Sequence, residues 1–218
     1  MNITTLQEPP FEPVTLADVY RVLKVDAGGS PPEHPLDADF LRNITSARRN
    51  VEKLTRRSLI RQTLRLSVED FPSTCDGWQL GPRWVRVPTS IRLFRPPLIA
   101  VQSVEYFDAS NALQAVASAD YYTTDEEVPE LRFVDTFSAP IVYDRPDALR
   151  VTYTAGYLGV GSPPSSQEEY AEHVPSELKD AILIGVQMLQ VSTSPQDFDL
   201  LKRMQEALVS GYRVQLAI

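Results

Sequence analysis

The side chains best suited to chemistry are few in this chain: one cysteine, Cys75, and two histidines, His34 and His173. A zinc site needs three or four clustered ligands. Both histidines lie in proline-rich or acidic loops, so no metal site is expected. Cys75 sits in Phe71-Pro72-Ser73-Thr74-Cys75-Asp76-Gly77-Trp78 with no histidine beside it to make a nucleophile, and reads as a turn with an incidental thiol. Asp125, Glu126 and Glu127 offer carboxylates for proton transfer or for calcium, but adjacent acids in a polar turn read as a solvated loop. Gly156, Gly159 and Gly161 are the one place to look for a phosphate loop. They fit neither G-x-G-x-x-G nor the Walker pattern, and Pro163-Pro164 follow where a helix would have to begin. No G-x-S-x-G elbow occurs. The sequence offers no catalytic residue, no metal ligand set and no cofactor site, so an enzyme is not expected.

What remains are surfaces, and the elements that carry them. Asp37 to Arg65 organises the chain. Phe40, Ile44, Ala47, Val51 and Leu54 recur at steps of four and three, one stripe of a helix. At 100° per residue Arg42, Arg49, Lys53 and Arg56 fall on the opposite side. The period then changes: Ile60, Leu64, Leu66 and Val68 alternate with Arg61, Thr63, Arg65 and Ser67, which predicts a half-buried strand.

The charge balance supports this emphasis. The net charge is -8, yet residues 40 to 65 hold eight of the 21 basic residues and one of the 29 acidic ones, Glu52. A free nucleic-acid binder is usually basic overall. The basic back can meet acidic surface of its own chain, an acidic neighbour in an oligomer, or phosphate. At 218 residues and 43% hydrophobic composition the chain suits one large domain or two small ones. No apolar run approaches the roughly 18 residues of a membrane span, and the start shows neither the basic nor the apolar region of a signal peptide. A lone cysteine excludes an internal disulfide framework and favours an intracellular origin.

In chain order, residues 1–13, with Pro9, Pro10 and Pro13, predict an extended N-terminal arm. Thr15 and Asp18 form a variant capping box for a short helix to about Lys24. A Gly-Pro loop follows, and Asp37 is the expected cap of the organising helix. From Leu59 onward come strand signals: Ile91–Phe94, Val101–Phe107, Tyr121–Thr124, Leu131–Val134 and Leu149–Tyr153. They predict five or six short, mostly antiparallel strands. Residues 159–173 read as a loop. Pro175 opens a helix with Leu178, Ile182, Leu183, Val186 and Leu189 at helical spacing, where Ala181 and Gly185 allow close approach. Ser194, Pro195 and Asp197 start a last helix with Phe198, Leu201, Met204 and Leu208 on one face, ended by Gly211. In the tail Tyr212, Val214, Leu216 and Ile218 alternate with Arg213 and Gln215, as in a strand that could add to a partner. The expected class is α+β: a small helical bundle (14–58 and 174–210) with an inserted, mostly antiparallel β region (59–158), a loop at 159–173 and a tail at 211–218.

Taken together, these residues resemble the head-tail connector proteins, the adaptor or head-completion family of long-tailed bacteriophages and gene transfer agents. The resemblance runs from Val14-Thr15-Leu16-Ala17-Asp18-Val19 through Val51-Glu52-Lys53-Leu54-Thr55-Arg56-Arg57-Ser58-Leu59-Ile60. It continues in Arg95-Pro96-Pro97-Leu98, Val151-Thr152-Tyr153-Thr154-Ala155-Gly156-Tyr157, Val174-Pro175 and Tyr212-Arg213-Val214. The loops Trp78 to Ser90, with Trp84, and Ser162 to His173 are longer than the family pattern. The resemblance implies a non-enzymatic virion neck protein, made in the host cytoplasm. It would form a ring, usually dodecameric, between the portal and the stopper or tail-completion protein. Double-stranded DNA would pass through the lumen without specific binding, and no membrane is involved. On that footing Phe198, Leu201, Met204, Leu208, Tyr212, Arg213 and Val214 are candidates for docking on the portal, and Arg42, Arg49, Lys53 and Arg56 for a contact between subunits. Competing expectations are a DNA-binding packaging accessory, another neck ring such as a stopper or tail terminator, or an enzyme with a site not visible in the sequence.

Overall fold

A computed structural model describes residues 1–26, 28, 34–72, 78–80, 83–85, 90–157, 166–190 and 194–215. The fold is α+β, and the chain divides into two compact units. One takes Pro9–Arg61 with Tyr157–Ile218, the other Met1–Glu8 with Gln62–Gly156.

The first unit is helical: α1 (Leu16–Leu23), α2 (Asp37–Thr55), α3 (Gln167–Glu172), α4 (Ser176–Gln190) and α5 (Pro195–Ser210). The start of α1 is the expected capping box. The Thr15 hydroxyl accepts from the Asp18 N–H, and the Asp18 carboxylate accepts from the Thr15 N–H at 3.0 Å. The start of α2 differs from expectation. Leu36 occupies the cap position with no side-chain bond, and Asp37 lies inside the first turn. Its carboxylate is taken instead by the Tyr20 hydroxyl and the His34 N–H, which hold its pKa below the usual range, the hydroxyl foremost. The stretch expected to be a loop at 159–173 contains α3, capped by Ser166, whose hydroxyl accepts from the Glu169 N–H. The core is built from the seam of α2 (Phe40, Ile44, Ala47, Val51) against Leu178, Ala181, Ile182 and Val186 of α4, with Val19 and Val209. Leu59 and Ile60, read from sequence as the start of a strand, belong to this core.

Among the described residues the second unit holds ten strands: β1 (Asn2–Gln7), β2 (Gln62–Val68), β3 (Trp78–Leu80), β4 (Arg83–Val85), β5 (Ser90–Arg92), β6 (Leu98–Phe107), β7 (Leu113–Ala115), β8 (Tyr121–Thr123), β9 (Glu130–Phe133) and β10 (Leu149–Ala155). They form a five-stranded sheet in the order β1-β2-β10-β6-β7, a three-stranded sheet β5-β9-β8 and the hairpin β3-β4, all antiparallel. The main departure from expectation is β1. Asn2–Gln7 falls in the stretch expected to be an extended arm, but it pairs along β2, where Asn2, Ile3, Thr4, Thr5 and Gln7, five polar or β-branched residues, form an edge. Leu64, Leu66, Val104, Val151 and Tyr153 fill the sheet's buried face, and the Tyr153 hydroxyl donates to the Phe94 carbonyl at 2.7 Å.

Candidate assembly surfaces

The basic back of α2 forms as the sequence predicts. Arg42, Arg49, Lys53 and Arg56 are all exposed. Arg42 is bonded to Asp39 at 2.8 Å, an exposed pair worth little. Ala47, on the seam, faces α4, and the four basic positions lie about 120–180° around the helix from it at 100° per residue. Arg56 ends the helix in the left-handed region, at φ 59°.

One arginine of this stretch is not surface at all. Arg48 is 2% exposed, between Glu12 at 2.7 Å and Glu52 at 2.9 Å. Glu52 also accepts from the Leu59 N–H at 3.0 Å, and the Thr45 hydroxyl donates to Glu12 at 2.8 Å. The network fastens the chain before α1, the middle of α2 and the segment after it. Sequence reasoning missed it, although Arg48 and Glu52 stand at the four-residue spacing of a helical ion pair.

The tail is fastened rather than frayed as far as it is described. The Val214 N–H donates to the Thr55 carbonyl at 3.0 Å, the Arg213 guanidinium to Leu54 O at 3.2 Å, and Arg57 to Tyr212 O at 2.6 Å. Leu54 and Thr55 sit in the last turn of α2, whose carbonyls have no partner within the helix. The Tyr212 hydroxyl donates to Glu177 at 3.1 Å. The Glu177 carboxyl is held low first by its own N–H and then by that hydroxyl. Val214 is 3% exposed. Leu216 and Ile218 lie outside the described residues.

On α5 the expected single apolar face is divided. Leu201 and Leu208 are half-buried, while Phe198 and Met204 are exposed, with Leu200 beside them. The fully buried positions of α5 are Val209 and, against its polarity, Gln205. The Gln205 amide donates to Ala181 O at 2.7 Å, at the point where Gly185 lets α4 approach α2. A β-carbon on Gly185 would lie 2.9 Å from that of Ala47.

The described residues considered for catalysis each have a local setting of their own. His34 accepts from the Leu36 N–H and stacks beside Phe40, His173 is exposed at the end of α3, and Asp125, Glu126 and Glu127 form an exposed turn. Cys75, Gly159 and Gly161 lie outside the described residues, while Gly156, at φ 138°, donates its N–H to Pro97 O. Among the described residues no group of three metal-ligating side chains occurs, and no helix is long and apolar enough to cross a membrane. A groove of about 470 Å³ in the sheet unit is lined, among the described residues, by Asp70, Phe71, Pro72 and residues 139–142, of which Asp70 alone is ionisable.

No family model matches the chain, and no curated protein does. Solved structures of gene transfer agent (GTA) particles contain chains of the same fold. A chain in the virion of a native particle superposes with a TM-score of 0.68 at 17% identity, covering 100% of this chain and 98% of that one. A chain in the neck of an empty particle, computed with C6 symmetry, gives 0.70 at 16% identity over the same shares. A chain in the neck of a native particle, computed with C12 symmetry, gives 0.63 at 17%, again over 100% and 98%. The likeness runs the full length of both chains and so takes in the helical unit and the sheet unit alike.

Proposed function

We propose that this chain is a structural virion protein of the neck: a head-tail adaptor that forms a ring between portal and stopper or tail and surrounds the DNA channel. The observation that carries this reading is the full-length match of fold to chains of GTA necks, 100% of one and 98% of the other. The C12 symmetry of one of those necks supports a ring of twelve copies. The chain acts by assembly rather than by catalysis, and its surfaces fit that role. The α2 basic stripe serves the contact between subunits, and the exposed part of α5 with the tail serves the portal. An acidic balance suits a channel wall along which DNA must slide, because tight phosphate binding would stall it.

The test is sedimentation of the purified chain, alone and mixed with assembled portal rings from the same genome, with electron microscopy of the heavy fraction. Joining the portal as a symmetric ring is the expected result. A chain that stays small and unattached beside an intact portal would move the assignment to another neck position. Removing Gly211–Ile218 is expected to weaken portal attachment.

The exposed stripe of Arg42, Arg49, Lys53 and Arg56 favours one second reading, a packaging accessory that binds duplex DNA. That protein would bind duplex with an affinity falling steeply as salt rises, whereas an adaptor binds weakly at any salt.

A further inference from the structure

Both tryptophans of the chain, Trp78 and Trp84, belong to one hairpin, β3-β4, whose register sets Gln79 opposite Trp84 and Leu80 opposite Arg83. Among the described residues its two strands pair only with each other. A two-stranded hairpin is marginal in water on its own and gains stability from a surface that covers its apolar residues. The sequence here is basic as well as apolar. Gly77 to Val104 holds four arginines, Arg83 and Arg86 among them, and no acid.

The sheet unit also offers a surface of the opposite chemistry, the groove beside Phe71. That ring is held by Tyr106, Phe133 and Phe137, with centroids 5.3–5.6 Å away, so the groove has a packed aromatic wall. Ile141, which also lines it, is 82% exposed, the most exposed large apolar side chain among the described residues. Asp70 lines the groove, Glu69 precedes it, and Asp135 and Asp144 flank the 139–142 wall in sequence. Neither 69–72 nor 134–144 contains a cation, and Arg145, the next residue, is taken up by Asp147 and Asn111.

An apolar groove bordered by acids suits an apolar segment that carries cations, and tryptophan and arginine are the residues that most often anchor such contacts. We infer that the β3-β4 hairpin of one copy seats in this groove of a second copy, tryptophan supplying the anchor and Arg83 and Arg86 the complementary charge. The contact is separate from the one proposed for α2 and shares with the ring reading only the association of copies. It fixes no symmetry: reciprocal seating gives a two-fold dimer, and successive seating a ring.

Tryptophan fluorescence tests it, because the two tryptophans report on the hairpin alone. Emission of the unaltered chain should move to shorter wavelength as concentration rises, in step with its sedimentation. Ile141→Lys puts a charge into the groove at an exposed site and should raise the concentration of half-shift roughly tenfold or more. Glu69→Lys with Asp70→Lys, which reverses the border, should act in the same direction and replaces it if circular dichroism melts show that Ile141→Lys has lost its fold. A chain with Trp78→Phe and Trp84→Phe emits no tryptophan signal but keeps its groove. In excess it should restore the short-wavelength emission of the Ile141→Lys chain, which only seating between copies can do. Emission that stays long at every concentration overturns the inference, as does emission that is short at every concentration, the mark of seating on the same chain. Groove variants that shift like the unaltered chain overturn it too. Rings that form with no change in emission would keep the ring reading and overturn this contact, whereas a closed two-fold dimer with shifted emission would keep the contact and overturn the ring.

Discussion

Val214 is tied to Thr55: its N–H donates to the Thr55 carbonyl at 3.0 Å while its side chain is buried to 3% exposure. The end of the chain thus closes the end of α2. Val214→Ala removes two methyl groups from a buried site and should lower stability by about 1–2 kcal/mol. Tyr212→Phe, which removes only an exposed bond to Glu177, should stay within about 0.5 kcal/mol. Urea unfolding of both variants measures the difference. Equal effects would mean that Val214 contributes nothing through burial.

The approach of α4 to α2 makes a second prediction. Gly185→Ala gains up to about 1 kcal/mol of helix propensity but sets a methyl 2.9 Å from the Ala47 β-carbon, a fixed atom. Overpacking should outweigh propensity, giving a net loss of about 1–2 kcal/mol. Ala47→Gly in the same chain should recover part of it, beyond what the two single changes add up to. Additive effects in a thermal denaturation cycle would refute the close contact.

Arg48 is the costliest charge to remove. Arg48→Ala leaves Glu52 buried and Glu12 partly so without their cation, and should destabilise by about 3–5 kcal/mol. Arg49→Ala, one residue on but exposed, should change little. A chemical denaturation midpoint that moves equally for the two would contradict the buried network.

Acid sensitivity has a definite window. Asp147, held by Arg145 and then Arg150, and Asp108, held first by the Ser110 hydroxyl, both have pKa values of about 2, below the usual 3.9. A depressed folded-state pKa contributes stability that is present above about pH 4 and lost as pH falls through 2. Melting temperature should therefore fall between pH 4 and pH 2, and less so in Asp108→Asn with Asp147→Asn. Between pH 5 and 8 neither group should make stability depend on pH.

Much of this fold was legible because its elements announce themselves locally. The α2 seam repeats at helical spacing, and Thr15 and Ser194 are caps that satisfy N–H groups wherever they occur. What escaped depends on distant partners. Asn2–Gln7 is mostly polar, with Ile3 and Leu6 out of strand alternation, and becomes a strand by pairing along β2. Residues 167–172 are too few for a visible period, although Ser166 and Glu169 stand at capping spacing. Arg48 and Gln205 are polar residues at buried positions, and only the neighbours that satisfy them explain why they are there. The basic stripe was legible as periodicity. The fastening of Tyr212–Val214 onto α2 was not, because strand-like alternation in a tail says nothing of what covers it.

The pairing of Gln62 with Ala155 at the first step of β2 and the last of β10 has a consequence for folding order. The whole segment Gln62–Gly156 separates the two halves of the helical unit in sequence. Once β2 and β10 have paired, Arg61 and Tyr157 emerge from adjacent strands, and the long loop between α2 and α4 is already closed. Its closure entropy is then met within the sheet rather than by the helices. Helix docking after that point is a short-range event, so sheet pairing should set the slow step and the bundle should follow quickly.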